Sequence, residues 1–108
     1  MSSIESGNSE QNKSQEIWSD DQWKITIEFP RMENAPYQRI VTLWKKWKTA
    51  SHEGASVEYT IFVPNYRKVD FAILAGRIQQ LLLTRKDVLD AFKQVEGELD
   101  THHMLYRL

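Results

Sequence analysis

Glu96, Asp100 and His103 stand at positions i, i+4 and i+7. On a helix that spacing lines one face with ligand types that suit a divalent metal. Gly97 lies inside the set and should fray the segment, and solvated charge is the ordinary state of such residues, so no metal centre is expected. His102 adds little, because neighbouring helical residues point about 100° apart. Ser51, His52 and Glu53 carry the three residue types of a hydrolytic triad, but consecutively in one polar loop. A working triad converges from separated segments. No nucleophile elbow or glycine-rich phosphate loop is present, and four glycines in all leave little room for one. With no cysteine, thiol catalysis, zinc–thiolate sites and disulfides are excluded together. The expectation is a protein without enzymatic activity or cofactor.

Basic residues are the remaining source of chemistry. Residues 1 to 22 carry five acids against Lys13, whereas residues 23 to 50 carry six bases against Glu28 and Glu33. The formal net charge of -1 predicts no general affinity for polyanions, so any such contact must be local. "LWKKWK", residues 43 to 48, concentrates the question. Counted at 100° per residue, Tyr37, Ile40, Val41, Leu43, Trp44 and Trp47 fall within an arc of roughly 160°, and Gln38, Arg39, Thr42, Lys45, Lys46 and Thr49 lie opposite. This predicts an amphipathic helix, with Asn34 as cap and Pro36 in the first turn, its indoles inward and its lysines in solvent. Arg39, Lys45, Lys46 and Lys48 then form a basic helix face, and Arg67 and Lys68 a basic loop beside Tyr66. These six residues are the candidate contacts for a partner or for phosphate groups. The acidic start could fold back over the same lysines.

The stretch "VEYTIFVPNYRKVDFAILAGRI" runs strand, proline, basic pair, aspartate, helix. That order resembles the RusA-type Holliday-junction resolvases over about twenty residues. Where that family has a second aspartate and a lysine, this chain has Ala72 and Gly76. The resemblance therefore implies a chain that lacks the metal ligands that carry the reaction and is inactive as a nuclease. Read from the residues alone, Asp70 caps a helix, and Arg67 and Lys68 are loop charges.

Residues 1 to 16 are nearly all Ser, Glu, Asn and Gln, too polar to offset the entropy of ordering, and read as a disordered acidic tail ahead of one globular domain over 17–108. "QWKITIEFP" alternates Trp23, Ile25, Ile27 and Phe29 with Lys24, Thr26 and Glu28, a half-buried strand that Pro30 ends. Val57, Tyr59, Ile61 and Val63 alternate with Glu58, Thr60 and Phe62 in a second strand. A helix over about 69–83 follows, with Phe71, Leu74, Ala75, Ile78 and Leu82 as its stripe. Thr84 and Asp87 open another, with Val88, Phe92, Val95 and Leu99 as its seam.

The predicted order is β-α-β-α-α, a small α/β (α+β) sandwich of two layers. Two strands make a poor sheet, so the Trp18 region, the C-terminal "MLYRL" or a second subunit must complete it. The two strands are compatible with either parallel or antiparallel pairing. Neither a signal peptide nor a membrane span is recognisable, and the Asn12-Lys13-Ser14 glycosylation sequon is then idle, which predicts a cytoplasmic or nuclear protein. The functional expectation is a small interaction or regulatory (adaptor) domain that binds a protein partner as a homodimer. The alternative is a nucleic-acid-binding accessory protein using the basic helix face and the 66–68 loop.

Overall fold

The structure, a computed structural model, describes residues 14–84 and 87–101. Four antiparallel strands come first: β1 (Gln15–Ser19), β2 (Trp23–Glu28), β3 (Tyr37–Lys48) and β4 (Glu53–Pro64). Two helices follow, α1 (Phe71–Thr84) and α2 (Val88–Thr101). The strands pair in sequence order, β1-β2-β3-β4, as a meander. The order β-β-β-β-α-α replaces the β-α-β-α-α expected from the sequence: a sheet is completed first, and a helical pair then covers one of its faces.

The difference lies in Tyr37–Lys48, read as the first helix and found as the longest inner strand. β3 is paired along both edges and carries apolar residues on both faces, Val41 and Leu43 toward the helices and Ile40 and Trp44 on the other side, so its apolar residues do not alternate, and the run Ile40-Val41 with Leu43-Trp44 imitates a 3.6-residue period. The β-branched trio Ile40, Val41 and Thr42 is the strand signal that this imitation hides. Pro36 and Asn34 do not open a helix: Asn34 sits at φ 59° in the β2–β3 connection, a left-handed turn conformation that asparagine tolerates. The predicted strands over 23–29 and 57–63 exist, but β3 lies between them, and all pairing is antiparallel. The Trp18 region does supply a strand, β1, which starts at Gln15. Met104–Leu108 lies outside the described residues.

The helix-covered face carries the core. Ile25 and Ile27 on β2, Val41 and Leu43 on β3, and Ile61 and Val63 on β4 meet Leu74, Ile78 and Leu81 of α1 and Ala91, Phe92, Val95 and Leu99 of α2. Ile17, Trp18 and Trp23 close it on the β1 side. Asp70 accepts hydrogen bonds from the backbone amides of Ala72 and Ile73, and Asp87 from those of Leu89 and Asp90, so each helix has a carboxylate cap. Gly97 does not end α2, which continues to Thr101. Arg77 joins the two helices through paired bonds to Glu98, Nε to Oε1 at 3.0 Å and Nη2 to Oε2 at 2.6 Å.

Candidate interaction surface

Among the described residues no helix lies over the other face of the sheet, and the register fixes what it shows. Paired residues in an antiparallel sheet share a face, so one row runs Ser19, Lys24, Trp44 and Val57, and a second Glu16, Thr26, Thr42 and Thr60. A third row runs Glu28, Ile40 and Phe62. Thr26 and Thr42 are buried within the sheet surface, and the Trp44 indole N–H donates to Thr26 Oγ1 at 2.9 Å, which pins the indole across the rows. The Tyr37 ring lies 4.9 Å from Phe62, tilted by 55°. Phe62 at 53% and Val57 at 56% exposure are the largest apolar groups left open here.

Val57 reaches this face through an irregularity the sequence does not announce. Tyr59 pairs with Leu43 and Val57 with Trp44, so Glu58 is an extra residue in β4. The bulge turns Val57 outward, away from the face of Tyr59, Ile61 and Val63 to which strict alternation assigns it. Tyr59 stays inward: its ring meets Phe92 edge-on and its hydroxyl donates to Glu96. That hydrogen bond raises the Tyr59 pKa above its ordinary 10.0, with desolvation and the nearby carboxylates of Glu96 and Asp100 acting in the same direction.

The two sheet edges differ. β1 is five residues long, is bulged at Ile17, and receives the Gln79 side-chain amide on the Ile17 carbonyl at 2.8 Å. All three features blunt an edge. β4 is twelve residues long, and among the described residues no strand pairs with its outer side. Beyond the bulge it reads Tyr59-Thr60-Ile61-Phe62-Val63, without a charge, glycine or proline.

The six basic candidates do not form one surface. Lys45 and Lys46 are neighbours in a strand and so point to opposite faces: Lys45 lies 4.3 Å over the Trp23 ring, and Lys46 donates to the Asp20 carbonyl at 2.8 Å. Arg39 stands on the helix side between two rings, 3.7 Å from Phe29 and 4.7 Å from Phe71. Lys48 is exposed at the end of β3. Arg67 turns toward α2, with Nη2 3.8 Å from the Asp100 carboxylate and 3.5 Å from its carbonyl, while Nε is buried without a hydrogen-bond partner. Lys68 is exposed. The indoles of "LWKKWK" do not enter the core: Trp44 lies half-buried on the open face, and Trp47 rests against Gly54, about half exposed.

Of the metal candidates, Glu96 is engaged by Tyr59 and Asp100 faces Arg67, and His103 lies outside the described residues. No group of three or more acidic or histidine side chains among the described residues is arranged to hold a metal. Ser51 and His52 do touch, Oγ to Nδ1 at 2.8 Å, in the exposed β3–β4 turn. The chain matches no known protein family, no curated protein and no solved structure. No described helix is long and apolar enough to cross a membrane.

Phe62, Val57, Ile40 and Trp44 are the surface residues that the sequence reading missed as a group. Phe62 on the polar side of its strand was the available signal.

Proposed function

We propose that this protein is a non-enzymatic interaction domain that pairs with a second copy of itself along β4, with the open sheet face flanking the contact. The observation that carries the reading is the edge Tyr59–Val63, which no strand among the described residues pairs. A long, uncharged edge of β-branched and aromatic residues is a template for strand addition, and soluble proteins cover or blunt such edges. A copy of the same chain brings an edge of the same length, and a two-fold axis makes the pairing self-complementary.

The dimensions fit. Strands spaced at about 4.8 Å and rising about 3.3 Å per residue make the open face roughly 20 Å by 20 to 40 Å. A dimer that adds β4 to β4 continues the sheet to about eight strands, within the usual range of open sheets. The charges on the face are balanced, with Glu16 and Glu28 against Lys24 and Lys46, which favours an apolar, backbone-mediated contact over a polyanion. A nucleic-acid role would need several free cations together. Arg39 and Arg67 are turned into the protein, and Lys45 and Lys46 are divided between faces.

Sedimentation velocity at micromolar concentration tests this. The wild-type chain should sediment as a dimer, and Val57→Lys/Phe62→Lys, which alters only exposed side chains, should sediment as a monomer with an unchanged circular dichroism spectrum. A wild-type monomer would overturn self-pairing. Salt-sensitive oligonucleotide binding by that monomer would move the function to nucleic acid.

A further inference from the structure

On the helix side of the sheet, a cavity of about 590 Å³ opens where β1, the end of β2 and the start of α1 converge. Its walls are mainly apolar, with Ile17, Ile27, Phe29, Phe71 and Ala75 beside Ser14 and Gln15, and Arg39 is the cation among them. The volume falls in the range of small-molecule sites, about 300 to 1,000 Å³, in which a few polar groups orient a mainly apolar ligand. Glu28 also borders the space, but its register partner is Ile40, which places its side chain on the opposite face of the sheet.

Arg39 has no carboxylate within ion-pair distance among the described residues; its one hydrogen bond there runs from Nη1 to the Gln38 carbonyl at 2.8 Å. Phe29 and Phe71 occupy the faces of the guanidinium. Ring stacking uses the faces of a guanidinium and leaves its in-plane N–H donors for an anion. Burial draws the Arg39 pKa below its ordinary value, a measure of hydration already lost, while the group stays a cation. The cost of holding a partly desolvated charge between two rings is thus met in the unliganded protein, and an incoming carboxylate would find donors fixed in position.

We propose that this cavity binds a monocarboxylate with an apolar body, its carboxylate on Arg39 and its hydrocarbon or aromatic portion among Ile17, Ile27, Phe71 and Ala75. A phosphate without an apolar body would leave those walls unfilled. A neutral ligand of the same shape would forgo the charge-assisted bonds, the strongest hydrogen bonds such a site can offer. The inference is independent of self-pairing, since the cavity lies on the helix side of the sheet and no residue of β4 lines it.

Titration of the full chain with decanoate, below its micelle concentration, followed by calorimetry, tests the assignment, with decanol and inorganic phosphate as probes of each half of the ligand. Decanoate should bind, decanol should bind roughly ten- to a hundredfold more weakly, and phosphate should not bind measurably. Arg39→Met, which keeps the stem and the ring contacts, should bring decanoate down to the level of decanol. Ala75→Phe, which fills the cavity from α1 and leaves Arg39 in place, should abolish binding of both, and it decides the matter should Arg39→Met fail to fold. Absence of decanoate binding by the wild-type chain, or equal binding by Arg39→Met or by Ala75→Phe, would overturn the proposal.

Discussion

The Arg77–Glu98 pair lends itself to a quantitative test, because it is the polar link between α1 and α2 and its geometry is bidentate. Glu98 is 13% exposed and Arg77 30%, so neither is a freely solvated surface charge, yet both keep some contact with water. A hydrogen bond to a charged group contributes about 1.5 to 3 kcal/mol, and partial exposure moves the pair toward the lower end. Replacing Arg77 by Met removes the bidentate partner of a mostly buried carboxylate, which keeps the Gln94 amide at 3.1 Å, and should cost about 2 to 3 kcal/mol. Glu98→Gln leaves Arg77 better placed, with the Gln80 side chain at 3.2 Å and solvent nearby, and should cost about 1 to 2 kcal/mol. In Arg77→Met/Glu98→Gln the buried carboxylate is neutral as well, and the double variant should lose about 2 to 3 kcal/mol in all, a coupling of about 1 to 2 kcal/mol. Urea denaturation at one fixed protein concentration provides the assay. With a slope of about 1 to 3 kcal/mol per molar, a loss of 2 kcal/mol moves the midpoint by about 1 M. Additivity of the two single losses to within about 0.5 kcal/mol would refute the reasoning, since uncoupled sites add to that precision.

Other consequences are as direct. Leu43 is fully buried on the inner strand β3, and Leu43→Ala should lose about 3 to 5 kcal/mol by urea denaturation, whereas exposed Lys48→Ala should stay within about 0.5 kcal/mol. Because the Tyr59 pKa is raised in the folded state, its contribution to stability is complete below the unfolded value of 10.0 and is lost as pH rises through the higher folded value. Ultraviolet titration should accordingly show one late-ionising tyrosine that disappears in Tyr59→Phe, and a stability profile falling at alkaline pH more steeply in the wild type than in that variant. A Cβ on Gly54 would stand 2.6 Å from Trp47 Cζ2, so Gly54→Ala should swing that half-exposed indole outward, seen as a red shift in tryptophan fluorescence absent from Gly54→Ala/Trp47→Phe. Asp87→Ala should cost about 1 kcal/mol through loss of the α2 cap, measured by thermal unfolding.

What the sequence disclosed depended on whether one face of an element is wet. β2 alternates because Lys24 and Glu28 meet solvent while Ile25 and Ile27 meet helices, and its limits were legible to within a residue. Both helices carried clear stripes, and Asp70 marked the start of α1, but the start of α2 was placed three residues early, at Thr84, which ends α1, whereas Asp87 is the cap. β3 carried no such contrast. Its open-face positions Ile40 and Trp44 are as apolar as Val41 and Leu43 on the helix side, and no count of periodicity separates that pattern from a helix. The basic face predicted there followed from the helical wheel, and it vanishes when adjacent lysines take opposite sides. The Glu58 bulge was equally invisible, because an extra residue shows only against its partner strand, and with it went the placement of Val57. Arg39 could be singled out as a cation but not as one stacked between Phe29 and Phe71, residues that are far from each other in sequence and brought together by the sheet.

The meander followed by a helical pair also sets an order of events during synthesis. Every strand partner is the neighbouring strand in the chain, so the sheet has low contact order and can form as successive hairpins. Its inner face, however, is complete at Pro64, while the segments that cover it end only at Thr101, thirty-seven residues later. At about 5 to 20 residues per second, translation leaves that apolar face waiting for roughly 2 to 7 seconds. A nascent chain in that interval exposes Ile25, Leu43 and Ile61 together with the uncharged half of β4, the composition that invites capture by a chaperone. The helical pair is therefore the step that commits the sheet to its native state, and lesions in α1 or α2 should lower the yield of protein made before they lower the activity of protein that has folded.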